Sequence, residues 1–388
     1  MSKIQENDYR LIRQYLRSSL SPRNVEILAT TASKDDEYWV LIEQYSEVES
    51  VGIKLLKDRG IGNKSKQKRI FKFFQAYIRQ AKNYYYAAKS NPGRSSGLIY
   101  YYCFLNLIKA ALIVSDDSLV GENFYHGLKV KNLGIGDFRD QKIEVFNSRN
   151  RNAFPLFYKW YFGTPLVADT FNVSKLLAYC TDVAYQYSFL KLGSSRIFPG
   201  HYCYAHNELA KISWGVIGIT NSEQVLRYKK TLEQFTETFE KIKNFPKRTA
   251  LELFDIDARI HSGFTFFQFA EPVNWISDQV TGAIECREKT IKALDSLLQT
   301  NYFETDCDFF ISTPYAVTRQ YPMDETVAIY LTMFYLCSLV RYRPEFLEKI
   351  LNKEESLLID CFVRFCPSTF IRSLISRIIN IDFILKSR

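Results

Sequence analysis

The chain has 388 residues, 47% hydrophobic and 24% charged, so it can bury a sizeable core and is not a disordered polymer. Its length exceeds one average domain, and two domains or one large elaborated domain are expected. The net charge of +9 favours anionic partners but falls short of a protein dedicated to packaging nucleic acid.

In chain order, short helices are predicted over residues 8–20, closed by Ser21-Pro22, and 35–57, closed by Gly60. After the linker IGNKSKQ comes the clearest helix, about residues 65–90. Its apolar positions Ile70, Phe73, Phe74, Tyr77, Ala81, Tyr84, Tyr85 and Ala88 repeat at helical spacing. Asn91-Pro92-Gly93 ends it, and Ser95 or Ser96 caps a second helix to about Val114 that is apolar almost all round. Residues 116–170 read as irregular, with a strand candidate at QKIEVF. Helices follow at about 172–191 and 221–243, separated by the strand KISWGVIGIT; FTFFQFAEP and DFFIST are further strand candidates. A helix at about 277–299 precedes a helical block from about Met323 to the end. The fold class expected is mainly α, a multi-helix bundle with a minor β element in the middle of the chain. The expected divisions are residues 1–60 as a helical addition, 61–192 as a helical core, 193–320 as a mixed α/β middle, and 321–388 as helices packing on the core.

The eight cysteines form no CxxC pair and mostly lie in apolar runs, as reduced thiols of a cytoplasmic protein would. With four histidines and no ligand-spaced cysteines, no metal site is expected. The N-terminus has no signal-like apolar core, and no run long enough to span a bilayer stands out, so no membrane partner is expected. No phosphate-cradling glycine loop, nucleophile elbow or HExxH occurs, and no cofactor is expected.

The charge is concentrated. Between Arg59 and Ser115 there is no Asp or Glu, while eleven Lys and Arg stand among eleven Phe and Tyr. Lys64 just before the predicted 65–90 helix, with Lys68, Lys72, Arg79, Lys82 and Lys89 on it, are the candidate anion-binding residues. Cations at this spacing beside aromatic rings suit a phosphate backbone, and a solvated face answered by acids from elsewhere suits them equally. A second constellation is the polar cluster Tyr102, Asn106, Lys109 and His126, with Arg341 and Arg343 of SLVRYRP. Lys109 and Asn106 share a face of an otherwise apolar helix, so they require an internal carboxylate or a bound anion. Gly127 after His126 would let backbone approach a ligand closely. Arg341 and Arg343 end an apolar helix, where they either cap it or join Lys109 in a phosphate clamp.

The helix end NYYYAAK followed by LIYYYCFLNLIKA, the tripeptide His126-Gly127-Leu128, and the late LTMFYLCSLVRYRPE occur in an order that resembles the bacterial YaaC-like family. The resemblance is weakest over the first sixty residues and about 195–275. It implies a mostly helical cytoplasmic protein and no defined activity, cofactor or catalytic residue. Separately, Arg196-Ile-Phe-Pro-Gly-His201 has the spacing of the HEPN ribonuclease motif, which lies on a helix; Pro199 and Gly200 oppose that helix here. The expected function is binding of a polyanion, RNA, DNA or nucleotide, through the basic helix. The alternatives are a HEPN-type RNase-like effector and a non-enzymatic scaffold with a protein partner.

Overall fold

A computed structural model describes residues 14–17, 23–90, 93–146, 151–166, 169–207, 210–226, 229–243, 245, 263–274, 279–297, 299–302, 308–315 and 321–387. The chain divides into a sheet unit (Met1–Ile27, Ile197–Val317, Asp382–Ile384) and a helical unit (Leu28–Arg196, Thr318–Ile381, Leu385–Arg388).

The helical unit opens at Ser33, whose hydroxyl accepts from the Asp36 amide and caps α1 (Lys34–Glu47). The predicted 35–57 helix breaks at Val48, whose extended backbone separates α1 from α2 (Glu49–Asp58). The acid-free segment forms α3 (Lys64–Ser90) and α4 (Ser96–Ile113), as its periodicity predicts. They run antiparallel, because Tyr84 meets Tyr102 with ring centroids 6.0 Å apart while Lys109 Nζ lies 5.7 Å from the Tyr77 ring. A further helix, α5 (Ala153–Phe162), lies in the stretch expected to be irregular. Pro155 hides it in the sequence, yet a proline is tolerated in the first turn, where amides have no helical partner. A small antiparallel sheet joins Leu128–Lys131, Lys142–Val145 and Thr170–Asn172. Past the sheet unit, which contains α6 (Lys229–Thr238) and α7 (Gln279–Leu297), the chain returns as α8 (Glu325–Tyr342), α9 (Pro344–Leu351) and α10 (Glu355–Ile379).

Helix α4 is the centre of this unit. Its apolar side chains point in every direction, so it needs cover on every side, and α3, α8 and α10 supply it. A Cβ on Gly97 would stand 2.9 Å from Leu336 Cβ, so only glycine admits α8 at this crossing. Phe104 stacks on Phe370 of α10 at 3.9 Å. Among the described residues α4 is the one helix long and apolar enough to cross a membrane, contrary to the expectation that no such run exists, and 78% of it is buried inside the protein.

In the sheet unit eight strands pair antiparallel. The core path runs Gln299–Tyr302, Asp308–Ser312, Ile197–Asn207, Ile212–Thr220, Phe264–Phe269, Phe239–Lys241. The two central strands are buried on both faces: Tyr202, Ile217 and Ile219 pack with Phe235 and Leu294, while Cys203, Trp214 and Val216 pack with Phe245 and Phe266. Gly200 and Gly218 sit opposite Phe309 and Phe266 in register, and each phenyl ring lies over its glycine where a Cβ would be only 2.5–2.6 Å away.

Several expected helices are corrected. The described part of 8–20, Gln14–Arg17, is a strand. The 221–243 helix reduces to Ser222–Val225 and α6, followed by a strand at Phe239–Lys241. The 172–191 helix is interrupted by 3-10 turns at Leu177–Tyr179 and Thr181–Val183, because the Thr181 amide bonds the Glu325 carboxylate instead of a helical carbonyl. The C-terminal block ends in a strand, Ile381–Ser387.

Candidate anion-binding site

The cations of α3 divide into two sets. On the side facing α1, Arg79 reaches Glu47 at 2.5 Å, Lys82 reaches Glu43 at 2.6 Å and Lys89 reaches Asp35 at 3.4 Å. Tyr85 and Tyr86 donate to Asp35 and Asp36, both at 2.5 Å. The Arg79 hydrogen bond holds the Glu47 carboxyl below its usual range; bonds from Ser33 and then Tyr86 do the same for Asp36. Arg79, Lys82 and Lys89 are therefore not an open anion-binding face: the acids missing from α3 and α4 stand on α1. Lys64, Lys68 and Lys72 are exposed, and no carboxylate pairs with them among the described residues.

The second constellation is brought together by α4, α8 and the loop before α5. Asn106 is buried and donates through Nδ2 to the Tyr102 carbonyl at 2.9 Å; Arg341 donates to the Tyr102 hydroxyl at 3.3 Å. Lys109 is half-buried against the Tyr77 ring and has no carboxylate among the described residues, so burial lowers its pKa. Arg341, which stacks 4.9 Å from the Tyr342 ring, has no carboxylate there either. His126 binds through Nδ1 to the Tyr101 hydroxyl at 2.6 Å. Its pKa is lowered first by burial, then by Arg341, then by Lys109. Among the described residues, both charged neighbours acting on this imidazole are positive. Half-buried Tyr77, Tyr84 and Tyr102 line the same region.

Two sequence readings of this cluster change. Arg343 does not join it: the guanidinium pairs with Glu345, donates to the Leu133 carbonyl at 3.0 Å and packs on Gly134. Gly127 does admit a close neighbour, but the neighbour is protein, since a Cβ there would be 2.6 Å from Asn152 Cβ and 2.9 Å from Pro155 Cδ. At φ +73° this left-handed glycine seats the His126 turn on the start of α5, where the Phe154 amide donates to the His126 carbonyl at 3.2 Å. Tyr101 and Tyr330, the inner partners of His126, were not singled out by the sequence. The run of three tyrosines at 100–102 was the visible signal for Tyr101.

A separate acidic group, in which Asp324 and Glu325 are buried, belongs to the architecture. Asp324 caps α8 by accepting from the Val327 amide at 2.9 Å. Glu325 accepts from the amide and hydroxyl of Thr181, and Asp182 accepts from Thr369 of α10 at 2.6 Å. Burial first, then the neighbouring Asp182, pushes the Glu325 carboxyl up to about 8.

The Arg196-to-His201 stretch leads into and lies on the Ile197–Asn207 strand, with the His201 ring 4.9 Å from that of Phe264. The helix on which the ribonuclease motif depends is absent at this position, in keeping with Pro199 and Gly200. The cysteines in the described residues are free thiols, all buried except half-buried Cys361; Cys307 lies outside those residues.

The model of the YaaC-like protein family matches residues 44–378, and the chain belongs to that family. The span includes residues 195–275, where the resemblance read from the sequence is weakest. No curated protein and no solved structure matches the chain.

Proposed function

We propose that this YaaC-like family member binds a phosphate-bearing ligand, a nucleotide or nucleic acid, at the cluster formed by Lys109, Arg341 and His126. One observation carries the reading: two cations converge on a histidine with no carboxylate among the described residues to answer them. A partly buried ammonium without a counter-ion costs free energy in the unliganded protein, and an oxyanion would recover it through charge-assisted hydrogen bonds. The half-buried rings of Tyr77, Tyr84 and Tyr102 offer stacking surface to a base beside that phosphate. Exposed Lys64, Lys68 and Lys72, spaced one turn apart on α3, would extend the contact along a longer backbone.

The test is a titration of a fluorescently labelled single-stranded RNA, and separately of inorganic sulfate by calorimetry, at two salt concentrations. Wild type is compared with Lys109→Met and Arg341→Met. Loss of affinity in both variants with retained thermal stability is the expected result. Affinities equal to wild type would remove the cluster as the binding site.

A further inference from the structure

The tyrosines behind His126 fix more than its position. Tyr101 lies 2.6 Å from His126 Nδ1 and 3.2 Å from the hydroxyl of Tyr330, and both tyrosines are fully buried. Burial pushes both phenols above their usual range, so each keeps its proton. Two hydroxyl protons must therefore be placed along a line of three acceptor atoms. In one order Tyr330 donates to Tyr101 and Tyr101 donates to Nδ1, which uses both. In the reverse order Nδ1–H donates to Tyr101, Tyr101 donates to Tyr330, and the Tyr330 proton is left over.

That leftover proton has nowhere to go. The Tyr330 ring is packed among Phe154, Phe157 and Phe370, and its hydroxyl has no second hydrogen-bond partner among the described residues. A buried donor without an acceptor is strongly disfavoured. The imidazolium form also carries Nδ1–H, and whether Tyr101 then donates to Tyr330 or accepts from both neighbours, one buried hydroxyl proton is left without an acceptor among the described residues. We propose that His126 is a neutral hydrogen-bond donor to the bound anion, presenting Nε2–H because the Tyr330-to-Tyr101 relay occupies Nδ1.

This inference rests on the reading of Lys109 and Arg341 as anion ligands. Among the described residues the titratable and charged groups facing His126 are Tyr101, Tyr102 and Lys109 from α4 and Tyr330 and Arg341 from α8, with Cys337 beside Arg341; none is a carboxylate. The site then offers two full charges and one neutral donor. Its affinity for an anion of fixed charge should be flat across the range where an ordinary histidine titrates.

The experiment labels the histidines of the full chain with nitrogen-15 and reads the His126 ring by NMR between about pH 6 and 8. Sodium sulfate, whose charge does not change in this range, is the probe. The expected result is the neutral Nε2–H tautomer throughout, free and sulfate-bound, with sulfate affinity changing less than about twofold across the range. His126→Ala should weaken sulfate about tenfold, whereas His126→Gln, which keeps an N–H donor, should recover much of that loss. Tyr101→Phe should give a mixture of tautomers and a reduced affinity. An imidazolium or an Nδ1–H signal at pH 6.5 overturns the inference even if sulfate binds. Failure of sulfate to bind wild type overturns the anion site itself, and the Nε2–H signal then marks His126 as an interior hydrogen-bond partner only.

Discussion

Two groups of cations in the helical unit meet opposite fates. Arg79, Lys82 and Lys89 leave α3 toward α1, and each finds a carboxylate within salt-bridge distance. Lys109 and Arg341 face tyrosines and a histidine, and find no carboxylate among the described residues. The first group lies in the segment densest in positive charge, and that charge is spent on joining two helices. The second is sparse in sequence: Arg341 is exposed at the end of its apolar helix, while Lys109 is half-buried, where an unanswered charge is harder to tolerate. Local charge density thus picks out cations that acids of α1 already neutralise, while the cost of leaving a charge unanswered picks out Lys109, which no carboxylate among the described residues answers.

The largest expected effect concerns a buried carboxyl, Glu325, whose environment keeps it protonated. Glu325 has a folded-state pKa raised from 4.5 to about 8, so the native protein holds a proton that the unfolded chain releases between those values. The sign follows directly: its contribution to stability is lost as pH rises through that window and does not return above it. Glu325→Gln should therefore gain stability over wild type progressively from about pH 5 to 8, by an amount on the order of a few kcal/mol, measured by urea melts. A constant difference would mean that Glu325 stays ionised.

The next effect breaks or sustains the comparison itself. Lys109→Met with Arg341→Met should weaken sulfate by more than about a hundredfold, given ~1.5–3 kcal/mol for each charged hydrogen bond. Arg79→Met with Lys82→Met should change it less than about twofold, because those charges are already neutralised. Comparable losses in the two pairs would erase the distinction. Gly127→Ala forces a side chain onto Asn152 from a left-handed backbone and should cost about 1–3 kcal/mol in a urea melt. The smallest effect sharpens the other side of the comparison. Lys82→Met should lose only ~0.2–1 kcal/mol, and less in high salt, because its ion pair with Glu43 is partly exposed.

What the sequence revealed follows the range of the forces involved. Helices α3 and α4 were legible because a repeated apolar face and a proline-glycine break are local. The Ile197–Asn207 strand was missed because both its faces are buried, which erases alternation, and because Pro199 and Gly200 read as a turn. Gly200 is in fact a strand residue covered by the ring of Phe309, a partner more than a hundred residues away. The 172–191 helix looked continuous because nothing local announces that Glu325 captures Thr181. At the site, Lys109 and Asn106 were legible as polar residues in an apolar helix. The acids on α1 were visible as residues, but not as partners of α3. Which phenol would sit behind His126 was equally beyond reach, since Tyr330 is joined to it only by tertiary packing.

The central position of α4 sets an order of events during synthesis. Its cover comes partly from α8 and α10, and α8 begins about 210 residues after α4 ends, which at ~5–20 residues per second is about 10–40 s of translation. During that interval the nascent chain carries a helix with the length and apolarity of a membrane segment, shielded by α3 but not yet by its later neighbours. Such a segment is what holdase chaperones and membrane-insertion machinery recognise. Ribosome-bound chains stopped before Glu325 should be captured by them, and release should coincide with the emergence of α8 and α10.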